Sequence, residues 1–131
     1  MVAEKFQTMV QLGIANSRMK DFHDLWMIGR LFNFDGLTLA NAIARTFERR
    51  NTPLPSDMPL ALTAEFSTAG QKLRQWHGFL NRAGLSVNVK LAKIITFIVT
   101  FVMPPVRALV QGQGESFVKS WPPGGPWQED T

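Results

Sequence analysis

Ile94-Ile95-Thr96-Phe97-Ile98-Val99-Thr100-Phe101-Val102-Met103 is a run of ten residues in which only the two threonines are polar. Its reading decides the fold. A membrane span needs about 20 apolar residues, and this run is bracketed by Lys93 on one side and Pro104-Pro105 on the other. It is therefore expected to be the core of a central helix over residues 87–110, with no membrane contact. The proline pair lacks two backbone N–H donors and is expected to kink or interrupt that helix.

Working outward, the rest of the chain supplies helices to surround such a core. Residues 2–15 place Phe6, Met9, Val10 and Gly13 at i, i+3, i+4, i+7 spacing, the pattern of an amphipathic helix. Asn16-Ser17 breaks it, and Ser17 is placed to cap a second helix over residues 18–32. The stripe of that helix is Phe22, Leu25, Trp26, Gly29 and Phe32. Asn33-Phe34-Asp35-Gly36 reads as a turn. A third helix over residues 37–50 carries Leu39, Ile43 and Phe47 and ends in Arg45, Arg49 and Arg50, cations suited to the negative end of a helix dipole. After a loop with three prolines, a short helix over residues 60–66 and a longer one over residues 69–81 follow, the latter with Leu73, Trp76 and Leu80 on one side. No alternating run or hairpin turn suggests a strand pair. The expected fold is all-α, a bundle of five to six helices over residues 1–111, with residues 112–131 a Gly/Pro/Trp-rich tail packing on that body through Phe117, Trp121 and Trp127.

The composition of the 131 residues is ordinary for a globular domain, with 45% hydrophobic and 18% charged residues, and it excludes wholesale disorder. There is no cysteine, which excludes disulfides and thiolate zinc sites. The net charge of +4 is compatible with an anionic partner without demanding one. Met1 is followed directly by Val2-Ala3-Glu4-Lys5-Phe6, with no leader pattern, so the chain is expected to open inside a helix and to act in the cytoplasm.

Charge is concentrated in Arg18-Met19-Lys20-Asp21-Phe22-His23-Asp24. Lys20 and Asp24 are i, i+4, and Arg18 reaches Asp21 at i+3. One account is structural: acids in a first helical turn offset its positive end, and i, i+4 pairs stabilise the helix. The other is functional, because a helix start flanked by Arg and Lys binds phosphate and paired carboxylates handle protons or cations. Glu4-Lys5 is a weaker second candidate. His23 and His77 each lie beside aromatic residues and are poor ligands alone. Arg45, Glu48, Arg49 and Arg50 form either a solvated helix end or a contact for a nucleic-acid backbone. No Gly-rich phosphate loop, Ser-His-Asp set or zinc-protease motif is present.

The Ala3-Glu4-Lys5 helix, followed by Arg18-Met19-Lys20-Asp21-Phe22-His23-Asp24-Leu25, resembles the C-terminal half of the AbiEii/AbiGii-type nucleotidyltransferase toxins. The similarity continues through residues 42–50, the Thr52-Pro53-Leu54-Pro55 loop, Gln75-Trp76 and the Trp121-Pro122-Pro123-Gly124-Gly125-Pro126-Trp127 ending. The resemblance implies transfer of a nucleotide from an NTP to an acceptor, in toxin–antitoxin or phage-defence systems or at the 3′ end of tRNA. It implies the helical half of a polymerase-β-type fold, with Lys5, Arg18 and Lys20 binding phosphate and Asp21 and Asp24 as catalytic acids. It implies an antitoxin partner, and Mg²⁺ held by a Gly-Ser and Asp-x-Asp segment. This chain contains no Asp-x-Asp and no metal ligand set is assigned in it, so it is expected to be a truncated or split form, inactive alone and dependent on a separately encoded N-terminal half. It also has no tyrosine, and His23 stands where the family usually has one. The alternative is a non-catalytic helical module that binds protein or RNA.

Overall fold

A computed structural model describes residues 1–85 and 89–130. It is 67% helical. Among the described residues there are six α-helices: α1 (Val2–Leu12), α2 (Met19–Leu31), α3 (Gly36–Arg49), α4 (Ala64–Thr68), α5 (Gly70–Arg82) and α6 (Leu91–Val110). The expected start of the last helix at Val87 lies outside the described residues.

The all-α expectation needs correction, because a small antiparallel sheet is present. Its strands are β1 (Phe34–Asp35), β2 (Lys119–Trp121) and β3 (Gln128–Glu129), in the order β1-β2-β3. Phe34 lies opposite Trp121, and Lys119 opposite Glu129. Strands of two or three residues are too short to show alternation in a sequence.

α6 is the central element, packed against α2, α3 and α4. Ile94, Ile98, Phe101, Val102 and Val106 are buried along it and meet Phe22, Phe47, Phe66 and Trp121 in one continuous core. The helix spans 20 residues and contains both prolines, so the pair does not interrupt it. Its mean hydropathy over the most apolar stretch is 1.7, so by length and composition it is long enough to cross a membrane, unlike the ten-residue run expected to fall short.

The tail serves one of the two carbonyls that the prolines leave without a helical donor. Pro105 cannot donate to the carbonyl of Phe101 four residues earlier. The Trp127 indole Nε1–H donates to that carbonyl instead, at 2.8 Å. Trp121, buried under Phe101 with ring centroids 4.8 Å apart, donates its own Nε1–H to the Gly29 carbonyl at 2.7 Å. The Gly124 N–H reaches the same oxygen at 2.9 Å. Gly29 lies in the last turn of α2, where carbonyls have no helical donor, and the tail supplies two. Gly29 also allows α2 and α6 to approach: a Cβ there would sit 2.7 Å from the Phe97 ring.

Other boundaries moved for local reasons. The first helix stops at Leu12 because Gly13 takes a positive φ of 54°, and a single 3-10 turn follows. Ser17 does not cap α2; the Asn16 side chain accepts from the Arg18 N–H at 2.7 Å. Phe32, expected in the buried stripe of α2, is exposed beyond the helix end. The expected helix over residues 60–66 divides into a 3-10 turn and α4 at Thr63, whose hydroxyl caps α4.

Candidate functional site

Lys5 on α1 and the first turns of α2 come together. Lys5 Nζ lies 3.2 Å from Asp21 Oδ1 and 3.0 Å from Asp24 Oδ2. Lys20 Nζ lies 2.8 Å from Asp24 Oδ2, and Arg18 Nε lies 3.0 Å from Asp21 Oδ2. All five residues singled out in the sequence thus form one network, three cations on two carboxylates. The contacts within α2 follow from i, i+3 and i, i+4 spacing. The contact from Lys5 spans sixteen and nineteen residues and depends on how α1 packs against α2.

The network is graded in burial. Asp21 is 4% exposed, and Arg18 and Lys20 point into solvent. The Arg18 guanidinium is off hydrogen-bond alignment with Asp21 Oδ2, which has no hydrogen-bond donor among the described residues. Burial opposes the charge on Lys5, but hydrogen bonds from its ammonium to Asp24 and Asp21 outweigh that and hold it above the ordinary lysine value. Burial likewise opposes ionisation of Asp24, and the bonds from Lys20 and Lys5 outweigh it, holding the carboxyl below its usual range.

The turn before α2 is pinned from beneath. Lys72 on α5 is buried, and its ammonium donates to the Asn16 carbonyl at 2.7 Å. Burial pushes Lys72 down. The same Asn16 orders the Arg18 backbone through its side chain. His23 is half-buried between Trp26, Trp76 and Phe79, with ring centroids 5.7, 6.5 and 5.7 Å away. Burial lowers its pKa, with Asp24 opposing and Lys20 reinforcing. His77 is exposed on α5, outside the network.

A cleft of about 480 Å³ opens beside the network, lined by Glu4, Lys5, Thr8, Arg18, Asp21 and Arg50 among others. Lys20 and Asp24 stand outside its lining. Arg50 is the residue the sequence treated only as part of a charged helix end. No local pattern in the sequence pointed to it; the structure buries Gln7 on α1, and a buried amide needs a partner. That partner is Arg50, whose Nη1 donates to Gln7 Oε1 at 2.7 Å.

Asp21 and Asp24 do not suit a divalent cation. Lys5 contacts both carboxylates, and Arg18 and Lys20 supply a second cation to each. Among the described residues no three His, Asp or Glu side chains converge as a metal site.

No curated protein and no solved structure matches the chain. A family model described as nucleotidyl transferase AbiEii toxin, type IV TA system, matches residues 1–95. Those residues contain α1 to α5, the whole charged network and Arg50, and the chain belongs to the AbiEii nucleotidyl transferase toxin family.

Proposed function

We propose that this chain supplies the phosphate-binding helical part of a nucleotidyltransferase toxin, which acts in the cytoplasm and transfers a nucleotide from an NTP to an acceptor such as tRNA. The observation that carries the proposal is the meeting of Lys5 and Arg18 on Asp21 in the lining of an open cleft. In nucleotidyl transfer an acceptor hydroxyl attacks the α-phosphorus, the bond to the bridging oxygen breaks and pyrophosphate leaves with the charge. Fixed cations stabilise that charge as it develops. Lys5, Arg18 and Lys20 are the cations, and Asp21 and Asp24 hold them in place. Hydrogen bonds from Lys20 and Lys5 hold the Asp24 carboxyl below its usual range, which suits it to position those two lysines.

Mg²⁺ does not fit these carboxylates, and the sequence has no Asp-x-Asp. The metal-holding part is therefore proposed to come from a separately encoded N-terminal half, which makes this chain a truncated or split form with an antitoxin as a further partner. The test is labelled-NTP cross-linking and label transfer to tRNA with Mg²⁺, with and without the product of the adjacent reading frame. The chain alone is expected to cross-link NTP without transferring label, and Lys5→Ala to weaken cross-linking on the order of tenfold, as for a lost charged hydrogen bond. Robust transfer by the chain alone overturns the split. Absence of NTP binding, together with RNA binding that falls steeply with salt, favours an RNA-binding module instead.

A further inference from the structure

The cations of the cleft are not equivalent. Lys5 contacts both carboxylates, and Arg18 is ion-paired with Asp21. Arg50 also lines the cleft, yet among the described residues it has no carboxylate within ion-pair distance. Its hydrogen bond to protein goes to the neutral amide oxygen of Gln7. Glu4 across the cleft feels the Arg50 charge only beyond ion-pair distance and is itself paired with the N-terminal amine. A guanidinium has five N–H donors, so most of its capacity remains for a ligand.

Arg50 is also held in place. Gln7 is 1% exposed, and its Nε2 donates to Gln11 Oε1 at 3.0 Å and to Thr52 Oγ1 at 2.9 Å. This fixes the amide with its oxygen toward Arg50. The backbone is fixed as well, because α3 ends in a Schellman turn. Asn51 takes a φ of 51°, its N–H reaches the Glu48 carbonyl, and the Thr52 N–H reaches the Phe47 carbonyl at 2.9 Å.

We infer that Arg50, set by buried Gln7 and the turn at Asn51, is the residue through which the cleft grips a phosphate group of a polyphosphate ligand. The inference rests on the cleft being the triphosphate site proposed above, and it assigns the direct contact to a residue outside the two charged motifs. Lys5 and Arg18 shape the electrostatic field from their paired positions; Arg50 offers two parallel N–H donors to one phosphate.

The test uses the 131-residue chain and inorganic tripolyphosphate at fixed ionic strength, followed by calorimetry and by ³¹P line broadening. Arg49→Ala is the control, since Arg49 is an exposed neighbour of equal charge that does not line the cleft. Arg50→Ala is expected to weaken binding on the order of tenfold and Arg49→Ala to leave it unchanged. Arg50→Lys is expected to restore only part of the affinity, because a lysine is a point charge without the planar fork. Equal effects of Arg49→Ala and Arg50→Ala, with Lys5→Ala still impaired, overturn the inference and leave the triphosphate reading standing. No binding by the unaltered chain overturns both.

Discussion

The two ends of α2 are held by opposite kinds of chemistry. Its N-terminal turns are fixed by ions: Lys5, Arg18 and Lys20 against Asp21 and Asp24, partly open to water. Its C-terminal turn is fixed by a neutral indole, Trp121, and the Gly124 N–H, with Phe97 and Phe101 packed on Gly29. The dry end contributes stability, since buried aromatic area and a satisfied carbonyl are worth several kcal/mol. The charged end contributes less, because solvent screens it, but Arg18 and Lys20 remain open to water.

The sharpest way to break this contrast is at the dry end. Trp121→Ala removes a fully buried indole and one donor to the Gly29 carbonyl, and is expected to cost about 3–5 kcal/mol in urea denaturation. NTP cross-linking measured on the fraction still folded is expected to be unaltered. At the charged end, Asp21→Ala removes the buried carboxylate shared by Lys5 and Arg18 and is expected to cost about 1.5–3 kcal/mol, with a larger proportional loss of NTP cross-linking.

The smallest effect is on pH dependence. Asp24 has a lowered pKa, so its contribution is present above the unfolded value of 3.8 and lost as pH falls through the lower folded value. Lys5 has a raised pKa, so its contribution is present below 10.5 and lost as pH rises through the higher folded value. Stability from this network is therefore expected to be flat between those limits. Asp24→Asn is expected to flatten the acid limb by under about 1 kcal/mol in denaturation curves taken below pH 4, as suits a partly exposed pair. An acid limb as steep as that of the unaltered chain would assign the effect to other carboxylates.

The charged end was largely legible in the sequence and the dry end was not. Helical spacing places Arg18 over Asp21 and Lys20 over Asp24, so those contacts follow from the α-helix alone. Leu39, Ile43 and Phe47 likewise mark α3 to within a residue at each end. No local pattern places Lys5 beside Asp21 or Arg50 in the same cleft, because both depend on α1 packing between α2 and α3. The sheet was missed because Phe34-Asp35 carries turn residues on both sides and its partner strand lies 85 positions on, in a segment dominated by Gly and Pro. The proline pair in α6 was read by its local cost, an unpaired carbonyl. The remedy, Trp127, is 26 residues from the oxygen it serves.

That remedy has a bearing on how the chain comes to be folded. Without residues 121–127, α6 would keep its packing on α2, α3 and α4 but lose the donor to its Phe101 carbonyl. The tail follows α6 in the chain, and contacts between distant residues form only after the loop entropy separating them has been overcome. Trp121 and Trp127 thus make α6 depend on residues well beyond its own end, one ring covering Phe101 and the other serving its carbonyl.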